Sequence, residues 1–407
     1  MVIIEFYAES AIDNMIATLA NRPETVVFVG DLKAMKKQES LFRRFLDAVG
    51  NTQTQILYRG IKSHDFNEIV QVLEQLVREF PGCHFDITGG EAMALTAIGT
   101  VYERYRGSGI QLHQYNVRTG KVYDCDLDGI TASGDIPPLT VAQNIILHGG
   151  SVISKNPGAQ SPDTDAGYLE DILSMWDICK TDCPQWNSQL AILNNLRQYG
   201  METGDPLEDC VPVAALQNAS GEIHLGTVVD KLANARLLQL SLGEHLLCIR
   251  YKNDLVKYCL EKSGTILELY TCAVARSIRL KNGQICYQDA LTGVFIDWDG
   301  IPHDSLSQEV DTENEIDVIL TRGVVPVFIS CKNGVVEENE LYKLCAVADR
   351  FGGRYVRKAL VATTLGNKSE RSRQHFQQRA EDMGVTLISG VHEMTDEAFA
   401  KALRLLV

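Results

Sequence analysis

No apolar run in this sequence approaches the roughly 20 residues that a helix needs to cross a bilayer, and the stretch from Val324 to Cys331 is far shorter. No membrane association is expected. The N-terminus has no basic segment, and Glu5 and Glu9 break its apolar start, so it reads as a buried strand and not as a secretion signal. There is no CxxC pair. Cys179 and Cys183 stand four apart and the histidines are scattered, which leaves no usual zinc spacing. The 11 cysteines are therefore expected to be reduced, mostly as small core residues of a cytoplasmic chain. Neither GxGxxG nor GxxxxGK[ST] occurs, so ordinary dinucleotide or ATP binding finds no support. Positive charge is also short, with 38 Lys/Arg against 53 Asp/Glu and a net charge of −15. That excludes a protein that coats nucleic acid through a general basic surface.

What is present suits a soluble globular chain of two or three domains: 407 residues, 45% apolar and 22% charged. The acidity is uneven. Residues 1–245 carry 18 Lys/Arg against 31 Asp/Glu, whereas residues 246–407 carry 20 against 22. Residues 343–379 hold nine basic side chains against Asp349 and Glu370. Such a run is either a solvated helical face or a phosphate-contacting patch near an active site.

Four apolar, β-branched runs punctuate the first 90 residues: VIIEFYAES from Val2, TVVFVGD from Thr25, TQILYRG from Thr54 and HFDITGG from His84. Helical spacing lies between them, as in Ile69, Val70, Leu73, Leu76 and Val77. This alternation predicts a parallel, doubly wound α/β sheet, finished by strands at 110–117 and 121–126 around a turn at Arg118 to Gly120. SKNPGAQSPDTD (154–165) reads as a linker, which ends the first domain near Gly150. Residues 151–245 are expected to form this linker and a helical connecting region, with a winged-helix DNA reader as a further option. From Leu246 a different α/β arrangement begins, with helices at 252–262 and 264–278.

Two places carry chemistry. In FDITGGEAMAL (85–95) a strand runs into Thr88, Gly89 and Gly90 and a helix starts at once, leaving backbone N–H groups for an anion. A tight turn alone would look the same. Ser10 and Asn14 after the first strand, and Gly30 and Asp31 after the second, should share that edge. The second place lies in the strands NEIDVIL (314–320) and VPVFISCKNG (325–334). Placed antiparallel, they bring Asp317 and Lys332 to one end of a sheet, and an amphipathic helix offers Glu268. Carboxylates that hold a divalent cation, together with a lysine facing the reacting phosphate, are what phosphodiester hydrolysis needs.

The FDITGGEAMA turn and TVAQNIILHGG (140–150) resemble the CARF sensor domains of CRISPR ancillary proteins. The helix Glu, the N-E-I-D strand, the F-I-S-C-K-N strand and RFGGRYVRKALVATT (350–364) resemble the PD-(D/E)xK nuclease half of CARF-containing effectors. The resemblance implies a Rossmann-like sensor at 1–150, a connecting region at 151–245 and a restriction-endonuclease-like α/β domain at 246–407. It further implies a homodimer that binds a cyclic oligoadenylate, usually cyclic tetra-adenylate, through Ser10, Asn14, Thr88, Gly89, Gly90 and Met93. The activity implied is a type III CRISPR endonuclease cutting single-stranded DNA or RNA, or nicking DNA, with Mn2+ or Mg2+. Asp317, Glu268 and the Cys331 carbonyl would hold metal, and Lys332 would orient water and stabilise the transition state. A CARF transcription regulator without catalysis is the alternative. One position departs from the wider superfamily: Ser330 replaces the second carboxylate, for which Glu315 or Glu340 is the candidate substitute.

Overall fold

The computed structural model describes the chain except residues 63, 127–128, 154–165, 198–199, 201–203, 216–224, 302–312 and 367–368. The segment read as a linker, 154–165, lies outside the described residues. The four apolar runs become β1 (Val2–Phe6), β2 (Thr25–Gly30), β3 (Gln55–Gly60) and β4 (His84–Asp86), followed by β5 (Gln111–Asn116), β6 (Lys121–Asp126) and β7 (Gly129–Asp135). They form one sheet in the order β3-β2-β1-β4-β5-β6-β7, parallel through β5 and antiparallel beyond it. β7 was not anticipated from the sequence.

Side-chain alternation along β2 explains why helices cover both faces. Val27 and Val29 pack with α3 (Phe66–Glu79) and α4 (Ala92–Arg104), whereas Val26 and Phe28 pack with α1 (Ile16–Asn21) and α2 (Leu32–Ala48). Helix starts are chemically marked. The Asp31 carboxylate accepts the Ala34 N–H, the Asp65 carboxylate accepts the Glu68 N–H, and Thr140 with Gln143 closes a capping box on α5 (Val141–Leu147).

The chain then changes sheets. β8 (Ser151–Ile153) pairs with β12 (Asp289–Asp297), and Val141 and Ile145 of α5 pack among residues of the second sheet. Between β8 and β12 come α6 (Ala166–Thr181), α7 (Cys183–Arg197), α8 (Thr227–Asn234) and a three-stranded antiparallel sheet of β9 (Glu208–Pro212), β10 (Leu238–Leu242) and β11 (Leu246–Tyr251). One expectation is corrected here: Cys210 and Cys248, opposite each other on β9 and β11, form a disulfide. The strand register aligns two thiols 38 residues apart, a pairing with no local sequence signal. The other nine cysteines are free, and eight of them are buried.

After α9 (Asp254–Glu261) and α10 (Thr265–Ser277), the second large sheet runs β16-β15-β14-β13-β12-β8. Its strands β13 (Glu313–Arg322) and β14 (Val325–Lys332) are antiparallel, while β15 (Arg357–Ala362) and β16 (Val385–Ser389) continue parallel to β14. Val318 and Ile329 pack on one face with α10, and Ile319 and Phe328 pack on the other with α11 (Asn339–Phe351). The last helices are α12 (Glu370–Asp382) and α13 (Asp396–Arg404). None of the described helices is long and apolar enough to cross a membrane.

Candidate functional site

Two cavities answer to the two chemical regions. The first, about 850 Å³, opens at the carboxyl edge of the first sheet, where parallel sheets receive ligands. Ser10, Thr88, Gly89, Gly90, Gly30 and Asp31 line it. Gly90 has φ +107°, and a Cβ there would stand 3.1 Å from the Cβ of Phe6. A Cβ on Gly89 would press on Ala8 and Asp13 at 3.2 and 3.3 Å. Gly90 thus packs tightly on the end of β1 in a backbone conformation that favours glycine, and Gly89 packs on the segment after β1.

Two of the expected contacts are already occupied within the fold. The Thr88 hydroxyl donates to Asp86 Oδ1 at 2.7 Å and accepts the Tyr115 N–H at 2.9 Å, so it braces the turn. Asn14 is buried and closes the β1 loop, accepting the Ala8 N–H at 2.7 Å and donating to the Ala8 carbonyl at 2.9 Å. Met93 is 40% exposed on the first turn of α4 and does not line the cavity. Ser10 does, and its hydroxyl has no hydrogen-bond partner.

Beneath the turn, strand register sets Glu5 of β1 beside Asp86 of β4, both fully buried. Burial, with the Asp86 charge next, pushes the Glu5 carboxyl well above its usual range. Burial likewise raises Asp86 to about 7, against the lowering effect of its hydrogen bonds from Thr88. The sequence reading missed this pair, whose only sign was an acid inside each of two apolar strands.

The second cavity, about 360 Å³, lies over β13, β14 and α11 and is lined by Glu315, Asp317, Ser330, Lys332, Glu340 and Lys343, among others. Cross-strand register brings the Cys331 N–H to Asp317 Oδ2 at 2.6 Å and the Ser330 hydroxyl to the same oxygen at 3.0 Å. Ser330 therefore helps to position the Asp317 carboxylate. Lys332 Nζ lies 3.8 Å from Asp317 Oδ2 and 2.9 Å from Glu340 Oε2. Of the two substitute acids, Glu340 meets the lysine and Glu315 lines the same cavity.

Glu268, on α10, is not among the residues lining the cavity. Burial, then the charges of Asp317 and Glu315, push its carboxyl up to about 8. Burial also raises Asp317, opposed by Lys332 and by the Cys331 N–H. Lys332 would be lowered by burial, but Asp317 and Glu340 hold it above its ordinary value. Among the described residues, no three His, Cys, Asp or Glu side chains are gathered into a ready metal site. The donors still suit a hard cation: carboxylates crowded enough to raise one another are relieved by a divalent charge, and oxygen ligands favour Mg2+ or Mn2+.

The basic stretch at 343–379 is dispersed by the fold. Lys343 pairs with Glu340, Lys358 with Asp349, and Arg354 with Asp13 of the β1 loop.

No protein-family model matches the sequence, and no curated protein does. Among solved structures, protein VC1899 from Vibrio cholerae superposes with a TM-score of 0.71 over 100% of this chain and 97% of its own, at 16% identity. Can2 from Sulfobacillus thermosulfidooxidans, solved in complex with cyclic tetra-adenylate, superposes with a TM-score of 0.65 over 99% of each chain, also at 16% identity. The chain therefore shares, from end to end, the α/β fold of a protein whose structure was solved in complex with cyclic tetra-adenylate.

Proposed function

We propose that this chain is a metal-dependent endonuclease switched on by a cyclic oligoadenylate, cyclic tetra-adenylate first among them, in type III CRISPR defence. The observation that carries the reading is the meeting of Asp317, Lys332 and Glu340 in one cavity, with the Asp317 charge felt by the Glu268 carboxyl, which it helps to raise. Asp317, Glu268 and the Cys331 carbonyl would hold Mn2+ or Mg2+, which supplies Lewis acidity toward the scissile phosphate and its attacking water. Lys332 keeps its proton because two carboxylates face it, and its ammonium offsets charge developing on phosphorus. Glu340 fixes where that ammonium stands. The Asp317 carboxylate is held by the Cys331 N–H and Ser330, so it need not reorganise on turnover.

The reading extends to a cytoplasmic homodimer, because a symmetric ring is matched by two identical loops across a two-fold axis. Its substrate is single-stranded DNA or RNA. The test is incubation of the purified chain with labelled single- and double-stranded DNA and RNA, with and without cyclic tetra-adenylate, in Mn2+ or Mg2+. Cleavage that needs both activator and metal is the expected result. A chain that binds activator and nucleic acid but cuts neither polymer would instead be a transcription regulator.

A further inference from the structure

The cavity at the edge of the first sheet carries the wrong charge for an anion. Glu9, Asp13, Asp31 and Glu91 line it, and among the described lining residues the one cation is Arg354. Carboxylates can accept hydrogen bonds from the adenine amino group and from ribose hydroxyls, but they repel phosphates. Phosphates are left with the backbone N–H groups at the start of α4 and with this guanidinium.

Arg354 belongs to the other half of the molecule. It sits in the short loop between α11 and β15, and its Nη1 donates to Asp13 Oδ2 at 3.0 Å. The pair is lopsided. The Asp13 side chain is 3% exposed, whereas that of Arg354 is 58% exposed. Asp13 is also held by the Tyr355 hydroxyl, which donates to Oδ1 at 3.1 Å, so it keeps a partner if the arginine leaves. The same acid lies against Gly89, where a Cβ would come within 3.3 Å of its own.

Resting on the proposed cyclic-oligoadenylate reading, we infer that Arg354 is a ligand-binding residue of the sensor cavity: a phosphate of the bound ring takes the guanidinium from Asp13. The C-terminal half thereby supplies the cation that the N-terminal half lacks. α11 links this exchange to the second cavity. The helix carries Glu340 in its first turn, beside Lys332, and ends at Phe351, about 17 Å further along and three residues before Arg354.

The test is the affinity for cyclic tetra-adenylate, measured by calorimetry on the full chain and on Arg354→Ala, Arg354→Lys and Asp13→Asn. Loss of a charge-assisted bond to phosphate predicts about tenfold or greater weakening in Arg354→Ala. Arg354→Lys should retain part of the affinity. Asp13→Asn, which removes the competing charge, should bind more tightly than the parent. Arg354 is exposed, so Arg354→Ala is expected to fold, and its melting temperature checks this. A folded Arg354→Ala that binds like the parent overturns the inference and leaves the sensor reading standing. A parent chain that binds no cyclic oligoadenylate removes that reading, and the inference falls with it.

Discussion

The two large sheets each bury carboxylates and partner them differently. In the first, Glu5 and Asp86 stand side by side with hydroxyl and N–H partners only, and both are pushed up toward the neutral form. In the second, Asp317 and Glu340 converge on Lys332, which stays charged and holds Glu340 below its usual value despite burial. A neutral acid pair can brace a turn but offers no field. An ion cluster at the wall of a cavity maintains one, at a desolvation cost that function justifies more readily than stability does. The difference separates a scaffold beneath a turn from the proposed catalytic centre.

The comparison is broken most forcefully at Lys332. Lys332→Ala should reduce cleavage at least about a hundredfold, the size expected when one preorganised electrostatic partner is lost. Asp317→Asn should give a similar loss that higher metal concentration partly restores, whereas Lys332→Ala should gain nothing from added metal. Single-turnover cleavage across a metal titration reads both. A folded Lys332→Ala protein cutting at the parental rate would remove the catalytic assignment.

The acid pair of the first sheet should appear in the pH dependence of stability. Asp86 rises from its ordinary 3.8 to about 7 in the folded chain, and Glu5 is raised as well. Between those values the folded state holds protons that the unfolded state has released. On Asp86 alone, stability should therefore fall as pH rises from about 4 to about 7, and the raised Glu5 adds to that fall. Glu5→Gln removes one of the two charges and should flatten that fall. Urea midpoints of parent and variant across this window decide it, and parallel curves would show that the pair does not titrate as proposed.

Thr88→Ala ranks next. The hydroxyl joins Asp86 to the Tyr115 N–H, so its removal leaves a buried acid and a strand N–H without that partner. A cost of about 1–3 kcal/mol is expected, measured by denaturation without ligand. A loss of activator affinity with unchanged stability would mean instead that Thr88 meets the ligand directly.

The sequence revealed those features that depend on neighbours along the chain. Apolar runs marked β1 to β4, and the positions of Asp317 and Lys332 on two successive strands marked the second cavity. β7 escaped because GITASGD has little apolar content to signal a strand. β8 escaped because three residues show no period, and its partner β12 lies more than 130 residues away. Asp13 with Arg354, and Cys210 with Cys248, are products of tertiary register, which local pattern does not encode. The turn at Thr88 was found for its shape. The direction of its hydroxyl, toward Asp86, depended on a buried acid that looked like one more strand residue.

The smallest expected effect sharpens the comparison within the second cavity. Glu340 receives two lysines at nearly equal distance, Lys332 at 2.9 Å and Lys343 at 3.0 Å. Distance alone would rank them together. Their surroundings differ: the Lys332 side chain is 32% exposed and also faces Asp317, whereas that of Lys343 is 71% exposed and one turn along the same helix. An exposed pair at this spacing gains little, because water and salt screen the charges and ordering two long side chains costs entropy. Lys343→Ala should therefore change folding stability by no more than about 1 kcal/mol, and less at high salt. Denaturation of this variant at low and high ionic strength measures it. A salt-insensitive loss well above that figure would mean that both lysines, and not Lys332 alone, hold the Glu340 carboxylate in place.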